Sequence, residues 1–386
     1  MQDQNKNLIL ATALSFLVIL VWFMLFPPPD PTIDPNAPAT VETQAGASGV
    51  DMALAPPAAG GDGATPAEGG APAVTQATAP RVPIATAEVE GSISLIGGRI
   101  DDLSLRGYFE TLDEGSPIVR LLSPVGTEDP YYALYGWAPG GDLGFDQVPG
   151  ANTEWRIEQG ETLTPDTPVT LVWDNGNGLI FRRIVAIDQN FMFTVTQSVE
   201  NTGAGAVRLA PYGIVARHGL PDDLQNFFIL HEGVVRKVDG QLDELGYDDV
   251  TDLDVVAREA AAAEVVEVAE NGWIGFTDKY WMTTLIPGAA QPFTSVTKYV
   301  ASADIYQTEA RLPAMTVEPG QTAQVTTRLF AGAKEWETIR TYQDEGGIDR
   351  FIDSIDWGWF YFLTKPMFWL LHTLNVTIGN MGLAII

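Results

Sequence analysis

Apolar and polar residues alternate in short runs along the middle of the chain. The pattern is clearest between Pro168 and Asn201. Val169-Thr170-Leu171-Val172-Trp173 reads as a strand, and Leu179 to Ile187 as its return. Asp174-Asn175-Gly176-Asn177-Gly178 between them is a tight-turn signal, because Asn and Gly tolerate positive φ. Asp188-Gln189-Asn190 turns again, and Phe191 to Val199 alternates once more, so the segment predicts a three-stranded antiparallel meander. Similar runs recur at 91–105, 206–214, 269–285, 293–310 and 321–330. Many short strands with few helical periods predict a mainly β domain of sandwich type over 86–335. One stretch reads differently. Asp252 to Val268 holds Ala260–Ala263 and suggests a short helix, against the Val-Val pairs on either side.

The two ends follow other periods. Leu8 to Phe26 is a run of 19 residues without charge, about 28 Å long as a helix and close to the hydrocarbon thickness of a bilayer. A cleaved signal peptide is the alternative. Its apolar region would be shorter and followed by small residues, whereas Trp22, Phe23 and Phe26 lead straight into Pro27-Pro28-Pro29. Residues 1–26 therefore read as an uncleaved transmembrane anchor. Lys6 precedes it and no Lys or Arg follows before Arg81, which places the N-terminus in the cytoplasm and the remainder outside.

Residues 27–85 carry 12 of the 26 prolines and no aromatic residue. Such a composition buries too little apolar surface to offset chain entropy, so it reads as a disordered linker with an r.m.s. span of about 45 Å. Beyond the β-domain, Glu335 to Tyr342 has helical spacing, and residues 336–356 read as connecting helices. Seven aromatic residues then fall within 357–369. Trp357, Trp359, Phe360, Tyr361, Phe368 and Trp369 suit the membrane interface, where an apolar ring body meets a polar edge. Residues 357–378 thus predict an interfacial amphipathic helix, kinked or restarted near Pro366. The competing reading is a helix buried in the β-domain, which seldom lacks a polar face so completely. Residues 379–386 end in Leu-Ala-Ile-Ile, like the opening of a further membrane span. A natural chain rarely stops there, so the sequence is expected to continue in a longer protein.

Charge narrows the possible roles. There are 21 Lys and Arg against 50 Asp and Glu, a formal net charge of −29. Most of it falls on 86–335, which holds 16 basic and 37 acidic residues. This surface repels phosphates, which argues against nucleic-acid binding. Without cysteine there is no disulfide, thiolate catalysis or Cys-based zinc site. Asp248, Asp249, Asp252 and Asp254 have carboxylates for calcium but lack the glycine and terminal glutamate of an EF-hand loop, so a solvated acidic loop is the better reading. Gly176-Asn177-Gly178 is no nucleotide fingerprint, since a strand follows it. No P-loop, His-Glu-x-x-His or Gly-x-Ser-x-Gly motif is present, and no cofactor is implied.

Several segments together resemble the YidC/Oxa/Alb insertase family. They are the start Met1 to Leu10, the meander segments Thr170 to Leu179 and Phe191 to Gln197, and Gly272-Trp273-Ile274-Gly275-Phe276-Thr277-Asp278-Lys279-Tyr280-Trp281. The most specific is Asp356-Trp357-Gly358-Trp359-Phe360, through Lys365-Pro366-Met367-Phe368, to Gly379-Asn380-Met381-Gly382-Leu383-Ala384-Ile385-Ile386. The resemblance implies a periplasmic β-super-sandwich like that of sugar mutarotases, in a multi-pass protein of the bacterial inner membrane. Its implied work is non-enzymatic: inserting and folding inner-membrane proteins, alone or beside the Sec translocon, with SecD and SecF as partners and nascent membrane proteins as substrates. The polar groove that the family uses lies beyond Ile386, so no groove residue can be carried over. The mutarotase likeness raises an alternative, a membrane-tethered carbohydrate-binding protein or epimerase with His218, His231 and Glu232 as acid and base. Fold does not imply function, and two turn histidines beside Gly219 and Gly233 are the plainer reading.

Overall fold

The computed structural model describes Pro56–Pro57, residues 79–221, Leu224, residues 230–358 and 361–379, and the single residues Gly382 and Ile385. The predicted anchor, most of the linker, and Trp359 and Phe360 lie outside these. Strands β1 (Arg81–Ala85), β2 (Val89–Ser94), β3 (Ile100–Phe109), β4 (Ile118–Leu122), β5 (Tyr131–Gly140) and β6 (Arg156–Gln159) come first. The meander follows as β7 (Val169–Asp174), β8 (Leu179–Ile187) and β9 (Met192–Asn201), then β10 (Val207–His218). Next come β11 (Gly233–Val238), β12 (Gln241–Gly246), helix α1 (Tyr247–Thr251), β13 (Val255–Val256) and β14 (Ala261–Val268). Strands β15 (Trp273–Thr277), β16 (Trp281–Ile286), β17 (Phe293–Val300), β18 (Ile305–Arg311), β19 (Met315–Val317) and β20 (Thr322–Ala333) complete the domain. Helix α2 (Trp336–Asp344), a 3₁₀ turn (Phe351–Ser354) and helix α3 (Tyr361–Ile378) end the described chain.

The strands form two sheets. An 11-stranded sheet runs β1-β2-β3-β5-β10-β18-β17-β14-β13, with β4 beside β3 and β19 beside β10. A 9-stranded sheet runs β12-β11-β15-β16-β20-β9-β8-β7-β6. Leu179, Phe181, Arg183, Val185 and Ile187 on β8 are buried while their neighbours are not, as expected of a strand with one face on a core. Gly176 and Gly178 take φ of 72° and 93° in the β7–β8 turn, which explains the two glycines there.

Strand β5 does not alternate, because all ten residues are buried. Tyr131, Ala133, Tyr135 and Trp137 join the main core between the sheets. Tyr132, Leu134 and Ala138 join a second core with Tyr212, Ile214 and Ala216 of β10. Both faces of the larger sheet are thus covered at its centre.

Two expectations are corrected here. The stretch suggested as a helix at 252–268 is mostly strand: β14 pairs with β17 from Ala262↔Tyr299 to Val268↔Phe293. The helical turn lies earlier, at α1, and Ala260 turns the chain with φ 51°. The linker also ends sooner than its composition suggests. β1 pairs with β2 over Arg81–Ala85, and Val82 and Ile84 are buried. Pro83 is tolerated because β1 is an edge strand with one side free of a ladder.

Candidate functional site

The connector from 336 to 356 is fixed to the smaller sheet. Ile339 and Phe351 are fully buried, and the Phe351 ring meets Trp273 and Phe330 edge-on at 5.6 and 5.5 Å. The Tyr342 hydroxyl donates to Asp188 at 2.7 Å and accepts from the Phe191 amide at 3.1 Å. Lys237 Nζ donates to Asp349 at 2.7 Å, and the His231 amide to Asp356 at 2.9 Å.

Among the described residues helix α3 covers Tyr361–Ile378 and is continuous through Pro366. Trp357 and Gly358 are not helical, which corrects the expected start at Trp357, and the helix does not restart at Pro366. Proline in the second turn forgoes only one intrahelical bond, and the rest of the helix keeps its register. Trp357 precedes the helix, donating its indole N–H to Ile352 O at 2.9 Å. Phe368 packs between Trp357 and Trp336, with ring centroids at 5.6 and 5.7 Å. His372 lies 4.9 Å from the Trp336 ring and 2.6 Å from Glu337.

Met367, Phe368, Trp369 and Leu370 are exposed by 47, 40, 54 and 45%. Four consecutive positions make a full turn, so apolar surface reaches round the helix here, while Thr364, Lys365, His372 and Asn375 fall within one arc of about 100°. The threonines add little polarity. Thr364, Thr373 and Thr377 turn their hydroxyls back to the carbonyls of Trp357, Trp369 and Thr373, satisfying in the backbone what water would otherwise satisfy. Helix α3 has no acidic residue. Among the described residues no helix is long and apolar enough to cross a membrane.

The β-domain holds the opposite arrangement, with charges inside. Lys298, Glu309 and Glu259 are buried around Arg311. Lys298 Nζ lies 2.6 Å from Glu309, Arg311 Nη1 donates to Glu259 at 2.7 Å, and Arg311 also pairs with Glu309. Burial alone would raise the Glu309 pKa, but Arg311 and Lys298 outweigh it and hold it below the usual range. Arg183 is buried without a carboxylate, donating to the carbonyls of Gly97, Gly98 and Tyr135 across the two sheets. Burial pushes its pKa down to about 10. Gly98 is required there, since a Cβ would sit 2.4 Å from Arg183 Nη1. At the sandwich end near α2, Arg217 bridges Asp278 at 3.0 Å and the Tyr247 hydroxyl at 2.9 Å. Lys334 donates to Thr277 at 2.8 Å, and burial lowers its pKa to about 8.

The residues considered for sugar chemistry fall in different places. His218 ends β10 in the larger sheet, 3.2 Å from the Tyr132 hydroxyl; burial and Arg99 push its pKa down to about 4. His231 precedes β11 in the smaller sheet, with Nε2 2.9 Å from Val234 O; Glu232 follows it. Three of the four aspartates considered for calcium serve α1 instead, and Asp254 follows it, its carbonyl accepting from the Ala263 amide at 3.0 Å. Asp248 and Asp249 occupy its first turn, Asp249 accepts from the Gly246 amide, and Asp252 caps its end. Among the described residues no group of three or more metal-ligating side chains is assembled.

A family model for the YidC periplasmic domain matches residues 81–370, and the chain belongs to that family. Over its whole length it is 65% identical to the membrane protein insertase YidC of Jannaschia sp.. It is 67% identical to that of Dinoroseobacter shibae and 58% to that of Ruegeria pomeroyi. It spans 64, 63 and 63% of those relatives' lengths. Solved structures similar to it include a galactose mutarotase related enzyme from Lactobacillus acidophilus, with TM-score 0.43, 12% identity, and coverage of 65% of this chain and 97% of that one. A galactose mutarotase-like protein from Lactobacillus casei gives 0.40 and 12%, covering 65% and 100%.

Sequence reasoning named the aromatic positions of this end but missed Trp336, the first residue of α2, whose ring packs on Phe368 and His372 of α3. Its signal was the Glu335-Trp336-Glu337 step into a helix. The buried charge groups had no signal, because Gln307, Glu309 and Arg311 alternate on β18 like residues facing water.

Proposed function

We propose that this chain is the anchor, periplasmic scaffold and interfacial helix of a membrane-protein insertase in the bacterial inner membrane. The observation that carries this reading is α3, an 18-residue helix that exposes Met367, Phe368, Trp369, Leu370, Val376 and Ile378, joined to a domain of the YidC periplasmic family. Such a helix is stable where its surface meets lipid or apolar protein. Trp357, Trp359, Phe360, Tyr361, Phe368 and Trp369 would sit at the headgroup level. Residues 1–26 would fix the chain in the bilayer and 27–80 would let the domain stand off from it. The acidic β-domain would stay in the periplasm, a docking platform for the Sec translocon and for SecD and SecF. Nascent inner-membrane proteins would be the substrates. Their insertion would need no cofactor: a polar groove elsewhere in the protein lowers the cost of moving polar segments through hydrocarbon.

The test is insertion of a small membrane protein into proteoliposomes that carry the full-length insertase. With Phe368 and Trp369 both replaced by serine, insertion is expected to fall while the β-domain keeps its unfolding midpoint. Insertion at the parent rate would remove α3 from the working part of the protein.

A further inference from the structure

We propose that the sandwich end bearing α2 is itself a lipid-contacting surface, with the tip of the β3–β4 hairpin and the β15–β16 turn entering a zwitterionic bilayer interface beside α3. The proposal rests on the interfacial reading of α3 and extends it to the β-domain.

A chain of contacts joins these pieces. Tyr108, near the end of β3, meets the Trp281 ring edge-on at 5.0 Å, and its hydroxyl donates to Glu335. Trp281 opens β16 and pairs with Ala333, the last residue of β20. The Lys334 amide donates to Tyr280 O at 2.9 Å. Glu335 is the N-cap of α2, and Trp336 packs on Phe368 of α3. The hairpin tip, the turn and the apolar helix therefore belong to one end of the molecule.

This end exposes apolar and aromatic side chains to solvent. Phe109 is 60% exposed, Tyr280 57%, and Leu112 fully. Leu112 is held outward by its own loop. The Glu110 amide bonds to Pro117 O at 3.0 Å, and the Thr111 amide to the Ser116 hydroxyl at 2.9 Å. A closed loop that projects a leucine loses little entropy on inserting it. Tyr280, Trp281 and Tyr108 are the ring types that settle at headgroup depth, and Lys279 lies 4.9 Å from the Tyr280 ring centroid.

Charge selects the kind of lipid. Glu110, Asp113 and Glu114 flank Leu112, so an anionic surface would repel the tip. Contact through apolar insertion fits a zwitterionic surface and should resist added salt.

The absence of cysteine allows a single label to be placed in the whole chain. The full chain would be reconstituted into phosphatidylcholine vesicles with an environment-sensitive fluorophore on Leu112→Cys, Leu370→Cys on α3, or Asn177→Cys in the β7–β8 turn at the other end of the smaller sheet. The label at 112 is expected to shift to the blue and to be quenched by doxyl-labelled lipid. The label at 370 should behave likewise, and the one at 177 should do neither. Replacing a third of the lipid with phosphatidylglycerol is expected to weaken quenching at 112. Quenching at 370 without quenching at 112 overturns this proposal and leaves the helix reading intact. No quenching at either position overturns both. A blue shift at 112 that follows protein density and ignores the doxyl lipid means self-association, and also overturns it.

Discussion

The β-domain and α3 solve opposite problems. The domain carries most of the chain's acidity on its surface and buries ion pairs within, while α3 turns leucine, methionine and aromatic rings outward. In water the first arrangement is ordinary and the second is costly, at about 25 cal/mol for each Å² of apolar surface left wet. The contrast teaches where each part is solvated. On the proposed function one serves the aqueous side and the other a boundary, and Trp336 and Glu337 hold them together at a short joint.

The sharpest way to break the comparison is to attack the buried charges. Glu309→Ala leaves Lys298 and Arg311 short of a partner and should cost about 3–5 kcal/mol, read as the shift of a urea transition. Replacing Lys298 with methionine together with Glu309 by leucine should cost far less, because two desolvation penalties vanish with the pair. Arg183→Met strands three carbonyls between the sheets and should cost about 3 kcal/mol by the same measurement. If either single variant is as stable as the parent, these charges are solvated and the domain interior is misdescribed.

The helix should answer differently. Phe368→Ser with Trp369→Ser should change the unfolding free energy read from the urea transition by less than about 0.5 kcal/mol. Vesicle partition should weaken by about 2 kcal/mol or more. A large loss of stability would instead mean that α3 is part of the folded core.

Acid separates the regions more gently. His218 has its pKa depressed to about 4 in the folded state, against about 6.5 unfolded. The unfolded chain therefore binds more protons between these values. The contribution of His218 is fully present above pH 6.5 and is lost as pH falls from there to about 4. In His218→Gln the fall in stability over that window should be shallower than in the parent. The smallest effect belongs to the joint: Glu337→Gln removes an exposed pair with His372 and should change stability by less than about 1 kcal/mol, less still in high salt.

What could be read in advance follows the same divide. The meander over β7, β8 and β9 was legible because one face is buried and the other is not, so period two is written into the residues. Strand β5 was not, since both of its faces lie in cores and Tyr-Tyr-Ala-Leu-Tyr-Gly-Trp shows no alternation. The alanines at 260–263 suggested helix by local propensity, yet pairing with β17 decided the outcome. β1 hid behind Pro83 because its neighbours share the linker's composition. At the site, aromatic density announced α3, but the non-helical step at Trp357-Gly358 was not legible, because it depends on Gly358 at φ 65° and on Trp357 donating to Ile352 O in the 3₁₀ turn.

The most direct test of a water-solvated domain ending in a bilayer-surface helix is vesicle flotation. Two versions would be compared, Ala79 to Ile386 and Ala79 to Asp356, each with neutral phosphatidylcholine vesicles. The longer is predicted to float with the lipid and the shorter to stay in the aqueous layer, folded. If the longer version also remains in the aqueous layer, α3 is no interfacial helix and the central claim fails.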